Sequence, residues 1–233
     1  MAAADDPPEV TIEPHLEMSY NKDMPGRIMF YCHQAPKPGE GGQTPVCDMR
    51  RVYQRLKDDP LISTLIEEGL RYYRTLPSRH SSQGSLYSWE KTFFTEEKKS
   101  VEATLVNLGY DMEWTQHGSL RCSYTMSAVR AHPRTQEIVW ANQSSVSHGS
   151  YYQHLPVILY PDPEFSPSHT AHKDGSPLSI EELNIIRRVQ WNNSRGLAWE
   201  AGDLLVLDNH AVGHGRIGFV PGINRNLVVA ITK

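Results

Sequence analysis

Two histidines and a carboxylate stand out for the chemistry their types and spacing allow. His15 and Glu17 form an H-x-E pair near the start of the 233-residue chain. On extended backbone, residues two apart project to the same side, so both side chains reach one ion while Leu16 turns away. The third donor lies far along the sequence, in Asp208-Asn-His-Ala-Val-Gly-His214-Gly-Arg216, where His210 and His214 are both candidates. Two imidazoles and one carboxylate on one face of an octahedral metal leave three adjacent positions open. That suits iron(II) that must take up a co-substrate and O2. The same donors also make a catalytic zinc site, so a zinc hydrolase is the rival chemistry. The sequence holds no H-E-x-x-H, the helical pairing such hydrolases commonly use. The plain alternative for the pair is a surface histidine beside a solvated glutamate.

These residues need elements to carry them. Ile28 to Cys32 (IMFYC) reads as a buried strand, and a Gly/Pro-rich turn follows from Pro36 to Pro45. Cys47 to Leu56 and Leu61 to Tyr72 have apolar residues at helical spacing, with Pro60 between them. Glu96 to Leu108 is a third helix, with Thr95 as N-cap and Gly109 just past its end. Strands are then expected at Asp111–Gln116 and Ser119–Val129, flanking His117-Gly118 as a hairpin, and at Glu137–Ala141. Ser179 and Glu182 form a capping box for a helix through Val189. Gly202-Asp203 reads as a turn feeding the buried strand that delivers His214, with Asp208-Asn209 at its end able to bond loop backbone. Apolar strands at Leu204–Leu207 and Leu227–Ile231 close the chain. The pattern is mainly β with inserted helices, and it predicts a closed or sandwiched core with a jelly roll as leading candidate.

The blocks around the donors carry more than the donors alone. His15-Leu-Glu17-Met-Ser-Tyr20 is followed by Pro25 to Cys32 and by Gly41-Gly-Gln-Thr44-Pro-Val-Cys-Asp48. Then come His132-Pro-Arg-Thr-Gln-Glu-Ile-Val-Trp140-Ala-Asn-Gln143, Asp174-Gly175 and Trp199-Glu-Ala-Gly-Asp203-Leu-Leu-Val-Leu-Asp208-Asn209, and last His214-Gly-Arg216 and Arg225. In these blocks and their order the sequence resembles the taurine dioxygenase-like and clavaminate synthase-like oxygenases, over nearly its whole length. The resemblance implies a double-stranded β-helix (jelly-roll) core with iron(II) at its open end. It carries the metal ligands onto His15, Glu17 and His214, and not onto His210.

The same resemblance places Arg225 at the carboxylate of 2-oxoglutarate, with Thr44 beside it. A guanidinium offers that carboxylate a planar fork, and a hydroxyl can donate one further bond. Arg216, Asn142, Gln143 and Tyr20 are candidate contacts to substrate or co-substrate. A salt bridge for Arg216 and a sheet-end polar pair for Asn142 and Gln143 are the plain readings. The implied activity is hydroxylation or desaturation of a small polar organic molecule, consuming 2-oxoglutarate and O2 and releasing succinate and CO2. The sequence departs from the family at Ala141, where Phe is common, and at Asn224 and Asn226, where a second basic residue beside Arg225 is common. Members also carry a long section ahead of the H-x-E block, whereas His15 here comes almost at once. A pocket lost through that short N-terminus would make the chain a non-catalytic jelly-roll binding protein.

Composition bounds the partners. A net charge of -4 gives no electrostatic pull toward nucleic acid or anionic membrane. No apolar run approaches the roughly 20 residues a spanning helix needs, and Met1 to Val10 matches no targeting signal. Three cysteines at no metal-like spacing suggest a reducing compartment. The expectation is a single cytoplasmic domain over residues 1–233 that meets a small molecule, its oligomeric state open.

Overall fold

A computed structural model describes residues 6–80, 88–152 and 166–232. The chain is mainly β with helices between the strands. It begins with β1 (Ile12–His15), β2 (Arg27–Gln34), β3 (Thr44–Asp48), α1 (Met49–Leu56), α2 (Ser63–Glu68) and β4 (Leu70–Leu76). Next come α3 (Trp89–Phe93), α4 (Lys98–Leu108), β5 (Asp111–Trp114), β6 (Leu120–Met126), β7 (Val129–Ala131), β8 (Ile138–Trp140) and α5 (Gly149–Tyr152). The last are β9 (Ser168–His172), α6 (Ile180–Asn192), β10 (Ser194–Leu197), β11 (Leu204–Asp208), β12 (Val212–Arg216) and β13 (Asn226–Thr232). By contact density the chain divides into two compact units, residues 1–69, 127–146 and 178–233 in one, and 70–126 and 147–177 in the other.

The first unit contains, besides the antiparallel pair β7-β8, two larger antiparallel sheets, ordered β1-β12-β3-β10 and β11-β2-β13. Alternation along β2 sends Ile28, Phe30 and Cys32 inward, where they cluster with Trp199, Leu207 and Leu227. Val46 of β3 and Val212 of β12 pack on that cluster, so the two sheets share one core. Asp48 caps α1 through the Arg50 amide, and α1 packs on α6 and β8 through Met49, Val52 and Leu56. The capping box at Ser179 and Glu182 forms as the spacing predicts, opening α6.

The second unit holds the sheet β5-β6-β4-β9. Its core is Leu76, Trp89, Val101, Leu105, Leu120 and Cys122.

Several expected elements move. The helix expected over Leu61–Tyr72 stops at Glu68, because Gly69 takes φ +87° and the chain turns into β4. There Tyr72 pairs with and stacks on Tyr124 of β6, a non-local partner that helical spacing does not reveal. Cys47 belongs to β3 and not to α1. Thr95 does not cap α4, whose N-cap is Glu97 without a side-chain bond. Val129 starts a separate strand, β7. The strand expected to be buried and to deliver His214 is β11, yet Leu204 is 64% and Val206 49% exposed, and His214 lies on β12 after a tight turn. No helix among the described residues is long and apolar enough to cross a membrane.

Candidate metal centre and co-substrate site

His15 is the last residue of β1, and the register places it opposite His214 on the neighbouring β12. Close approach of these strands needs Gly215, where a Cβ would lie 2.4 Å from the Ile12 carbonyl oxygen, and is helped by Gly213, where one would lie 3.2 Å from the His15 carbonyl oxygen. Glu17 was expected on extended backbone beside His15. It lies instead in the turn that follows β1, with Met18 left-handed at φ 55°. Its Oε2 nevertheless sits 3.8 Å from His15 Nε2 and 3.6 Å from His214 Nε2. Among the described residues this is the cluster of three such donors that could share an ion, all within 4.8 Å of one another. Two bonds of about 2.1 Å to a first-row metal span at most about 4.2 Å, so the two carboxylate–imidazole pairs fit one ion.

The electrostatics suit a cation. His15 and His214 together hold the Glu17 carboxyl far below the usual carboxylate range. Burial pushes His214 down to about 4, which leaves a neutral ring with lone-pair capacity at neutral pH. Burial opposes protonation of His15, but the facing Glu17 carboxylate together with the Glu13 carbonyl and the charge of Asp6 outweighs it and raises this group. The Nδ1 atom of His214 is buried and, among the described residues, has no hydrogen-bond partner. His15 Nδ1 contacts the Glu13 carbonyl at 2.8 Å, which fixes its ring and turns Nε2 toward Glu17. His210 stays outside the cluster, its ring edge-on to His132.

Thr44 lies two residues from Val46, the partner of His214 across β3 and β12, and so faces the same side. Its buried hydroxyl accepts a 3.0 Å bond from Trp199 Nε1 and keeps its own proton to donate. Arg225 is tethered two residues before Thr44, its Nε donating to the Gly42 carbonyl at 2.9 Å. Among the described residues its Nη groups make no hydrogen bond or ion pair. Burial, with the charge of Arg216, pulls its pKa down to about 10. A desolvated guanidinium without an acid is a receptor for an anion.

Comparison with known proteins decides the family. The model of the taurine catabolism dioxygenase TauD, TfdA family matches residues 2–231. The chain belongs to this family. It is 33% identical over 217 residues to the dapdiamide synthesis protein DdaC of Enterobacter agglomerans, covering 91% of this chain and 63% of that protein. It is 30% identical over 227 residues to a clavaminate synthase-like protein of Arabidopsis thaliana, covering 94% of this chain and 64% of the relative. It thus spans somewhat under two thirds of each relative's length. Among solved structures, AAD-2 in complex with Mn(II) and N-oxalylglycine aligns over 94% of the chain and 67% of its own (TM-score 0.52, 16% identity). An asparagine oxygenase in complex with Fe(II), hydroxyasparagine and succinate aligns over 96% and 50% (TM-score 0.51, 14% identity). At such identities these two report a shared fold.

Three of the remaining candidates in this TauD/TfdA member, Arg216, Asn142 and Gln143, are engaged with backbone. Arg216 donates to the carbonyls of Asp6, Pro7 and Val10, clamping the segment that leads into β1. It also shares the Phe219 ring with Arg225, each guanidinium 5.3 Å from the ring centroid. Asn142 binds the Ala128 carbonyl and accepts from the Ser144 amide. Gln143 donates to the Leu16 carbonyl, and Tyr20 closes the turn that starts at Glu17, half-buried. Two buried amides lie close to the donors, Asn209 and Gln190, and the sequence marks only Asn209, as a group able to bond loop backbone. Asn209 bonds Glu17 and Gln190 bonds Pro14. Residue spacing carries no signal of either contact.

Proposed function

We propose that the chain is an Fe(II)- and 2-oxoglutarate-dependent oxygenase built on a jelly roll. In this reading His15, Glu17 and His214 hold the metal, and Arg225 with Thr44 holds 2-oxoglutarate. The substrate is a small polar organic molecule, hydroxylated or desaturated. The observation that carries the reading is one compact unit with three converging donors and a half-buried guanidinium that, among the described residues, lacks an acid partner. The two facing sheets support the jelly roll, and the Fe(II), Mn(II), succinate and N-oxalylglycine named for the aligned structures support the cofactors. A zinc hydrolase needs no such carboxylate receptor.

When bound, iron(II) with 2-oxoglutarate and O2 supplies the oxidation, decarboxylating the oxoacid to succinate and CO2. The residues of this chain do the holding. Glu17 brings one negative charge, and His214 stays neutral and ready to ligate. Arg225 presents paired N–H donors, with its stem fixed by Gly42 and its face by Phe219. Two measurements test this. Calorimetry should show one Mn(II) bound per chain, lost in Glu17→Ala and His214→Ala and kept in His210→Ala. With Fe(II), 2-oxoglutarate and O2, succinate should form. Mn(II) binding that survives His214→Ala would overturn the metal site, and tight metal binding without succinate across a broad substrate panel would overturn the activity.

A further inference from the structure

The sheet bonds that set His15 against His214 end at the end of β1. Glu17 lies beyond them, in a turn whose next residue, Met18, adopts a left-handed conformation disfavoured for residues with a side chain. Something else must fix the backbone of Glu17, and the contacts show what does. The Asn209 side chain is fully buried. Its Oδ1 accepts from the Glu17 amide at 2.8 Å, and its Nδ2 donates to the Glu17 carbonyl at 3.0 Å and to the Pro25 carbonyl at 2.8 Å. One carboxamide therefore grips both backbone polar groups of the carboxylate donor and ties them to Pro25, two residues before β2.

Two more buried carboxamides act on the same stretch. Gln143 Nε2 donates to the Leu16 carbonyl at 3.0 Å, and Gln190 Nε2 to the Pro14 carbonyl at 3.1 Å. Pro14, Leu16 and Glu17, which flank His15 and include one donor, are thus held by three amides from three different parts of the chain. An amide suits the task because it donates and accepts without adding charge beside an anionic site. A carboxylate in place of Asn209 keeps the acceptor, loses both donors and adds a negative charge.

We infer that Asn209 is a positioning residue for the metal centre, and that with Gln143 and Gln190 it forms a cradle placing Glu17 at the distance His15 and His214 require. The inference rests on the metal-site reading above. Partners outside the coordination sphere typically set metal affinity by about 10–100-fold. In the full-length protein, Asn209→Ala should weaken Mn(II) binding by that factor. The electron paramagnetic resonance of its bound Mn(II) should broaden, as expected of a distorted site, while the far-ultraviolet circular dichroism stays that of the wild type. Asn209→Asp, with one of three bonds left, should not restore wild-type affinity. Gln143→Met removes one donor at similar volume and reads the same cradle from its other edge, so it decides the matter if Asn209→Ala does not fold. Lower melting temperature with unchanged Mn(II) affinity and spectrum, in whichever of these variants folds, would overturn the cradle. Equal Mn(II) binding by wild type and His214→Ala would instead overturn the underlying metal site, so the two failures are distinguishable.

Discussion

At Arg225, burial strips water from a cation whose stem is bonded and whose Nη groups, among the described residues, pair with no acid. The desolvation is unfavourable in the free protein and is offset when a carboxylate arrives, since charge-assisted paired bonds are among the strongest available. Lysine keeps the charge but has neither the planar fork nor the Nε that meets Gly42. Gly42 itself leaves no room for adjustment, because a Cβ there would come within 2.8 Å of the Arg225 stem. Arg225→Lys should therefore raise the Kd for 2-oxoglutarate at least ~10-fold, equivalent to about 1.4 kcal/mol, with Mn(II) affinity unchanged. Calorimetric titration of the Mn(II)-loaded protein reads both, and an unchanged 2-oxoglutarate Kd would move the carboxylate contact to another cation.

The elements show why some of this was legible in sequence and some was not. The strand at Ile28–Cys32 and the capping box of α6 are local signals, written within a few residues; the capping box forms as read, and the strand forms but buries only alternate residues, with Tyr31 39% exposed. The end of the helix before Gly69 depends on a strand partner some fifty residues away, and spacing cannot report it. The placement of Glu17 depends on Asn209, 192 residues distant in sequence. The two side chains of the H-x-E pair meet for a geometric reason other than the one read from spacing, since a turn and not strand alternation brings the carboxylate round to His15. What brings β1 to β12 is the missing Cβ at Gly215. Gly215→Ala should force the strands apart, destabilise the fold by about 1–3 kcal/mol as overpacking does, and weaken Mn(II) binding with it. Denaturant unfolding and metal titration of the variant check this, and wild-type values in both would show that the strands can give.

The β11–β12 turn also carries a pH signature. Burial would raise the Asp208 pKa, but bonds from His132, the His210 amide and Arg134 outweigh it and leave the carboxyl below its ordinary value. A carboxyl depressed in the folded state adds stability above its unfolded pKa of about 3.9 and loses it as pH falls through the folded value. The stability gap between wild type and Asp208→Asn should be open at pH 7 and should narrow below about pH 4. Urea unfolding across that range reads it directly. A gap equally wide at pH 3 and pH 7 would mean that the carboxylate charge contributes nothing there.

For the molecule as a whole, each of the two compact units has its own apolar core, and the proposed metal donors, Arg225, Thr44 and the amide cradle all belong to the first. A ligand that binds only the folded state stabilises what it binds by RT ln(1 + [L]/Kd), about 2.7 kcal/mol at a hundredfold excess over Kd. Proteins open in cooperative pieces, so that stabilisation appears in the amides whose exchange requires the binding piece to open. With Mn(II) at a hundredfold excess over Kd, exchange in β1, β12 and the turn from Glu17 to Tyr20 should slow by up to about 100-fold. Amides in β4 and β6, at the centre of the other unit, should exchange at their metal-free rates. Hydrogen–deuterium exchange with and without Mn(II) measures both sets in one sample, with His214→Ala as the control that should respond in neither. Protection spread equally over β12 and β6 would mean that the two units open as one. Protection of β12 that persists in His214→Ala would place the ion elsewhere in the chain.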